Sequence, residues 1–227
     1  MNAAVLVAAG RGTRMGPNVD KIFLELAGSP VVAHTWRRFD ACPEIHEIVV
    51  VVRSGMESAF EELARLAGVK KPFRFTIGGK ERQDSVWNGL QAVSSGVEIV
   101  AIQDAARPCT SLRVIVAALA AARRTGAAVA AQAITDTIKE SGDGRMVDRT
   151  MDRSKLWAVQ TPQVFRLETI RRALEEVRLR GLVVTDDTAA CEVIGQPVEL
   201  VSSPEPNPKV TRPEDIPFIE WLLKNGC

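Results

Sequence analysis

From Ala3 to Ala133 the chain alternates short apolar runs with amphipathic stretches, and this alternation restricts the fold more than any other feature. Ala3–Val7, Glu47–Val52, Phe73–Ile77, Val97–Ile102 and Ala127–Ala133 read as strands. Glu47–Val52 is almost continuously apolar, as expected of a parallel strand covered on both faces. Between the strands, Pro30–Phe39, a stretch from Ser54 to about Leu66, Asp84–Val93 and Ser111–Thr125 carry helical spacing. Val31, Val32, Thr35 and Trp36 form the buried stripe of the first helix, and Ser54-Gly-Met-Glu57 has the form of a capping box. A β-α-β-α rhythm builds an α/β fold. The sheet is mostly parallel, Rossmann-like and doubly wound by right-handed crossovers. With 227 residues, 46% hydrophobic but only 5% aromatic, the chain suits a single domain with an aliphatic core.

In such sheets ligands bind beyond the carboxyl ends of the strands. Three loops stand there. The first strand runs into Ala8, Ala9, Gly10 and Gly12, with Arg11 and Arg14 alongside. Small residues let backbone N–H groups approach anionic oxygens, and arginine adds donors shaped for phosphate. The P-loop pattern fails, because no Gly-Lys-Ser/Thr follows. The dinucleotide fingerprint lacks its third glycine, where Met15 stands, and the second strand ends at Arg53 rather than an acid. An NADP site that uses an arginine there stays open as an alternative, as does a plain glycine turn.

Gly78-Gly79-Lys80-Glu81-Arg82-Gln83-Asp84-Ser85 links a strand to a helix. It reads either as a close approach to a flat base or as a turn capped by Asp84 or Ser85. Gln103-Asp104-Ala-Ala-Arg107-Pro108 places a carboxylate at a strand end, where a magnesium ligand would stand. Arg107 pairing with Asp104 is the structural alternative. Lys21, close after the first loop, reads as a solvated lysine or as a group that closes over phosphates.

The rhythm breaks at Ile134. Residues 135–157 are polar, with Thr137-Ile-Lys and Arg145-Met-Val-Asp as thin alternating stretches, and read as a two-stranded projecting arm or a loose surface loop. Helices resume at Arg166–Arg180 and near Asp186–Ile194. Val198–Val201 is a last strand, and Thr211-Arg-Pro-Glu214 caps a terminal helix ending near Leu223.

A net charge of +1 gives no field for nucleic acid. No run reaches the length of a membrane helix, and no basic region precedes the first apolar stretch, so neither a membrane span nor a signal peptide is expected. Four scattered cysteines form no C-x-x-C and point to a reducing cytoplasm. His34 and His46 have no evident acid or nucleophile partner.

Taken in order, these motifs carry a resemblance. Ala-Ala-Gly-Arg-Gly-Thr-Arg-Met at 8–15, Asp20-Lys21-Ile22-Phe23, the 78–85 segment, Asp104-Ala-Ala-Arg-Pro and Asp136-Thr137-Ile-Lys belong to it. Leu156-Trp-Ala-Val-Gln-Thr161-Pro-Gln and Lys209-Val-Thr-Arg-Pro-Glu-Asp complete it. Together they resemble the 2-C-methyl-D-erythritol 4-phosphate cytidylyltransferases over nearly the whole chain.

The resemblance implies nucleotidyl transfer from CTP to the sugar phosphate, with Mg²⁺ as cofactor and Asp104 near the metal. It implies Arg14 and Lys21 as the catalytic pair. The CTP pocket falls on Ala8, Ala9, Gly10, Gly12, Gly79, Lys80, Ser85, Asp104 and Ala105. Acceptor contacts fall on Thr137, Arg153, Thr161, Thr185 and Lys209. It also implies a homodimer in which residues 135–157 reach across to the partner. Two departures stand out: Asp20-Lys21-Ile22 replaces the family's frequent Pro-Lys-Gln, and Lys80 replaces a frequent Asp. A ribitol 5-phosphate cytidylyltransferase shares the CTP half, but Arg153, Lys209 and the arm agree with the methylerythritol branch. An NAD(P)-binding oxidoreductase and a non-catalytic CTP-sensing module are the remaining alternatives. The end at Cys227 leaves no length for a fused second enzyme of the pathway.

Overall fold

A computed structural model describes residues 1–10, 12, 15 and 20–227. Its centre is a seven-stranded sheet. In chain order the elements are β1 (Asn2–Val7), the short pair β2 (Glu25–Leu26) and β3 (Ser29–Pro30), α1 (Val31–Ala41), β4 (Glu47–Val52), α2 (Glu57–Ala67), β5 (Phe73–Ile77), α3 (Arg82–Gln91) and β6 (Ile99–Asp104). They continue as α4 (Leu112–Thr125), β7 (Ala127–Ala133), β8 (Lys139–Glu140), β9 (Arg149–Thr150), β10 (Trp157–Arg166), α5 (Leu167–Leu179), α6 (Asp187–Val193), β11 (Glu199–Ser202) and α7 (Ile216–Lys224).

The sheet order is β11-β7-β10-β6-β1-β4-β5, and β10 alone among them runs antiparallel to its neighbours. From β1 the chain moves outward through β4 and β5, then crosses to β6 on the other side of β1. That reversal opens a crevice beyond the carboxyl ends of β1 and β6.

Strand alternation builds two cores. Ala4 and Leu6 of β1, with Ile48, Val50 and Val52 of β4, face one side, packed with Trp36, Phe39, Phe60, Ile115 and Leu119. Ala3, Val5, Val49 and Val51 face the other, packed with Val86, Leu90, Ile170 and Leu174. This two-sided burial explains the unbroken apolar run of β4. Each fully buried Leu, Ile or Val stabilises the fold by about 1.5–3 kcal/mol.

Several boundaries differ from the sequence reading. Ser54 does not cap α2: the helix starts after Met56 without a side-chain cap, and Gly55 at φ 81° turns the chain away between Ser54 and the helix. β6 extends to Asp104, which pairs in register with Val7. α3 begins two residues earlier than Asp84, with Glu81 as its N-cap. The carboxylate that caps the final segment is Asp215, which accepts from the N–H groups of Thr211 and Arg212, each at 2.8 Å.

The largest difference is β10, ten residues of which the sequence reading assigned only the two ends, Trp157 to the arm and Arg166 to the following helix. Gln160-Thr-Pro-Gln has no apolar alternation to mark a strand. In the fold the register with β7 shifts between Val159 and Gln163, and the proline sits in that irregularity, where no ladder donor is required.

The arm is a two-stranded hairpin with Lys139 opposite Thr150 and Glu140 opposite Arg149. Its strands lie outside the expected Thr137-Ile-Lys and Arg145–Asp148 stretches, apart from Lys139. Asp143 accepts from the N–H groups of Arg145 and Met146, and Asp148 from that of Gly142, so 141–148 folds as a turn-rich tip. Among the described residues no helix is long and apolar enough to cross a membrane.

Candidate active site

A cleft of about 1000 Å³ occupies the crevice between β1 and β6. Ala8, Ala9 and Gly10 line it from the end of β1, and Asp104 and Ala105 from the end of β6. Gly79 and Lys80 enter from the β5–α3 connection, Ser85 from the first turn of α3, and Lys21 and Lys209 from two loops. The expected CTP residues are thus gathered in one place, with Gly12 packed against the Lys21 stem.

Close packing shapes the β5–α3 connection. A Cβ on Gly78 would fall 2.4 Å from the Ala9 Cβ, and one on Gly79 would fall 2.2 Å from the Asp84 Cβ. Ser85 Oγ accepts from the Gly79 N–H at 3.1 Å and donates to the Glu81 carbonyl at 3.2 Å. The Asp84 carboxylate accepts from the Glu81 N–H at 3.1 Å, completing a reciprocal cap. The capped-turn alternative is therefore the one seen: Asp84 caps the helix, Ser85 pins the loop, and Gly78 and Gly79 are packed against Ala9 and Asp84.

Asp104 sits in a cluster of cations. Its Oδ2 accepts from Lys209 Nζ at 2.7 Å, and its Oδ1 accepts from Arg82 Nε at 3.3 Å. Arg107 Nε lies 3.8 Å from Oδ2, while Arg107 Nη1 donates to the Asn207 carbonyl at 2.6 Å. Burial alone would raise the Asp104 pKa, but Arg82, then Lys209 and Arg107, hold it well below the usual carboxylate range. Arg82 also reaches Asp187, with Nη1 2.9 Å from Oδ2. Burial pushes the Asp187 carboxyl up, against the pull of Arg82.

This donor set does not fit direct metal coordination by Asp104, since both of its oxygens already face cations. Among the described residues there is no group of three or more His, Cys, Asp or Glu side chains that could hold a metal ion.

On the opposite wall Arg53 pairs with Asp20 and donates to the Gly10 carbonyl at 3.4 Å. Asp20 thus has a partner of its own in this chain, and Ile22 is buried in the core at 2% exposure. Both departures in that segment have a local reason. Arg14, assigned to catalysis, lies outside the described residues. His34 Nε2 lies 2.8 Å from the Leu26 carbonyl and His46 Nδ1 3.1 Å from the Asn2 backbone N, so neither lines the cleft.

Of the acceptor residues Lys209 lines the cleft, and Thr137, Arg153, Thr161 and Thr185 do not. Thr161 is buried, its Oγ1 accepting from the Asp104 N–H at 3.2 Å. Thr185 is exposed, immediately before the α6 cap Asp186. Thr137 and Arg153 belong to the exposed arm, where Arg153 Nη1 donates to the Thr135 carbonyl at 2.6 Å, and neither lines the cleft. The sequence reading assigned no role to Arg82 or Asp187. Arg82 stood in a quoted motif, but its register at the helix start became visible only with the cap at Glu81. Asp187 carried no signal beyond an acidic pair after Thr185.

The sequence model of the 2-C-methyl-D-erythritol 4-phosphate cytidylyltransferases (IspD) matches residues 2–225. The chain belongs to this family. The enzyme of that name from Geobacillus thermodenitrificans is 44% identical over 220 residues, covering 97% of this chain and 96% of the relative. The crystal structure of 4-diphosphocytidyl-2C-methyl-D-erythritol synthase from Anaerococcus prevotii is similar at TM-score 0.87 and 29% identity, covering 98% of this chain and 96% of that one. That of the Thermus thermophilus cytidylyltransferase follows at TM-score 0.79 and 30% identity, covering 97% and 98%. The reaction is that of the family: CTP and 2-C-methyl-D-erythritol 4-phosphate give 4-diphosphocytidyl-2-C-methyl-D-erythritol and pyrophosphate.

Proposed function

We propose that the cleft performs this transfer by alignment and charge, without a general base or an enzyme nucleophile. The acceptor's phosphate monoester is already largely ionised near neutral pH. One of its oxygens forms a bond to the α-phosphorus of CTP, the bond from that phosphorus to the bridging oxygen breaks, and pyrophosphate leaves with the electron pair. Lys21 and Arg14 neutralise the charge that develops on the α-phosphate and the leaving group. Ala8–Gly10, Gly12, Gly79, Lys80, Ser85, Asp104 and Ala105 hold the nucleotide. Mg²⁺ bound with the triphosphate would supply further neutralisation of phosphate charge, and Asp104, already facing Lys209 and Arg82, would not be its ligand.

Thr161, Thr185 and Lys209 receive the acceptor, and Thr137 and Arg153 complete that half from the arm of a second copy. The assembly is a homodimer of single-domain chains, 1–227, with 135–157 as the dimerisation arm. The four free thiols suit a cytoplasmic setting.

The observation that carries this reading is the placing of the small-residue loops after β1 and β5 opposite the Asp104–Lys209 pair, at the switch point of the sheet. Pyrophosphate release tests it, with CTP, UTP, ATP and GTP each combined with methylerythritol phosphate or ribitol 5-phosphate. Turnover with CTP and methylerythritol phosphate is expected to dominate, because backbone and hydroxyl groups that read cytosine are left unpaired by another base. Equal rates with CTP and UTP would remove the base assignment, and preference for ribitol 5-phosphate would remove the acceptor assignment.

A further inference from the structure

Lys209 is assigned to the acceptor phosphate, yet its ammonium is bound to Asp104 at 2.7 Å. To take a phosphate it must leave that carboxylate or share it. Asp104 is only 8% exposed, and a buried charge stripped of its partner is strongly disfavoured. Another cation must hold Asp104 meanwhile. Arg107 is poorly placed, with its Nε 3.8 Å away and its Nη1 committed to the Asn207 carbonyl. Arg82 is within hydrogen-bond range of the second oxygen, at 3.3 Å.

Arg82 is itself fixed from the far side. Its Nη1 lies 2.9 Å from Oδ2 of Asp187, which is 1% exposed. The position of Asp187 is set by β10: Gln163 Oε1 accepts from the N–H groups of Asp187 at 2.9 Å and Thr188 at 3.2 Å. Gln163 Nε2 donates to the Asp186 carboxylate at 2.9 Å. A continuous series of contacts therefore runs from β10 through the start of α6 and Arg82 to Asp104. It arrives on the side of Asp104 opposite Lys209.

We propose that Arg82, clamped by Asp187, is the standing counter-charge of Asp104 that frees Lys209 to receive the acceptor phosphate. Both are positioning residues acting through Asp104 and Lys209. The inference rests on the acceptor role of Lys209 and deepens the reading of that half of the site.

The test uses the full-length enzyme with CTP and methylerythritol phosphate, and compares Arg82→Gln, Asp187→Asn, the double variant and Arg82→Lys. Without Arg82, Lys209 is held harder by Asp104, so the acceptor KM rises about tenfold or more while CTP affinity by calorimetry changes less than about threefold. Asp187→Asn acts in the same direction, and the double variant is no worse than Arg82→Gln alone, because the two act in one series. Arg82→Lys recovers part of the loss. The double variant removes the buried Asp187 charge together with that of its partly exposed partner Arg82, which keeps a folded protein to measure if Arg82→Gln alone is unstable. An unchanged acceptor KM in a folded variant lacking Arg82 would overturn the proposal, as would multiplied losses in the double variant. So would a loss of CTP affinity with the acceptor KM intact. A wild-type enzyme that releases no pyrophosphate from this substrate pair would instead overturn the functional reading on which the proposal stands.

Discussion

Lys21 Nζ donates to the carbonyl oxygen of Val210 at 3.2 Å. The bond ties the loop after β1 to the segment that precedes α7, one residue beyond Lys209. Lysines assigned to opposite halves of the reaction are thereby fixed to the same stretch of backbone. An ammonium placed before the substrates arrive needs little reorganisation when charge develops on the phosphates.

Lys21→Ala is expected to lower kcat by about a hundredfold or more while leaving CTP affinity nearly unchanged, since the interaction is made mainly in the transition state. Steady-state kinetics beside CTP calorimetry separates the two effects. Arg14→Ala carries the same expectation. A near-normal kcat in either variant removes that residue from the catalytic pair.

Gly79→Ala tests the wall of the nucleotide pocket. The added Cβ would fall 2.2 Å from the Asp84 Cβ and 3.2 Å from the Asp84 carbonyl carbon, so the start of α3 must move. Overpacking of this kind costs about 1–3 kcal/mol of stability, read from urea unfolding. CTP affinity should fall with it, because the displaced loop carries the Ser85 bond. A variant with wild-type stability and wild-type CTP affinity would show that the segment yields without consequence.

The part of the site legible in the sequence is the part made by local rules. Glycines after apolar runs marked the loops at Gly10 and Gly79, and β4, β5 and β7 occupy the ranges that their apolar patterns predict. What escaped depends on contacts between distant segments. β10 carries a proline and polar residues in mid-strand, and only pairing with both β6 and β7 makes it a strand. Ser54 satisfied the capping pattern, yet Gly55 turned the chain before the helix began. The ion pairs of Asp104 with Arg82 and Lys209 join the end of β6, the start of α3 and a distant loop, and no spacing rule connects them.

The pH profile is expected to report the substrate rather than an enzyme base. The folded pKa of Asp104 is depressed below its ordinary value of about 3.9, so its stabilising contribution is complete above that value and is lost only as pH falls through the folded pKa. Asp104 therefore stays ionised across the neutral range. The acceptor's phosphate monoester has its second pKa near about 6, so kcat/KM for the acceptor should decline below that pH. An acceptor analogue with a more acidic phosphoryl group should move the decline to lower pH. A decline that stays in place with the analogue would assign it to a group on the enzyme.

The arm supplies the last prediction. Every residue from Lys139 to Thr150 is exposed, and Met146 and Val147 at its tip are 71% and 60% exposed, apolar surface without a core beneath it. Thr137 and Arg153, assigned to the acceptor, sit on this projecting segment and do not line the cleft of their own chain. A two-fold dimer can exchange such segments reciprocally, so Arg153 is expected to serve the partner's site. Arg14→Ala and Arg153→Ala are each expected to be inactive. After reversible dissociation and mixing, about half the dimers are mixed, and each mixed dimer has one doubly defective site and one intact site, so activity should return to roughly a quarter of wild type. If Arg153 serves its own chain, every site keeps one defect and nothing returns. Verified mixed dimers without recovered activity, or a monomer in sedimentation, would defeat the shared site.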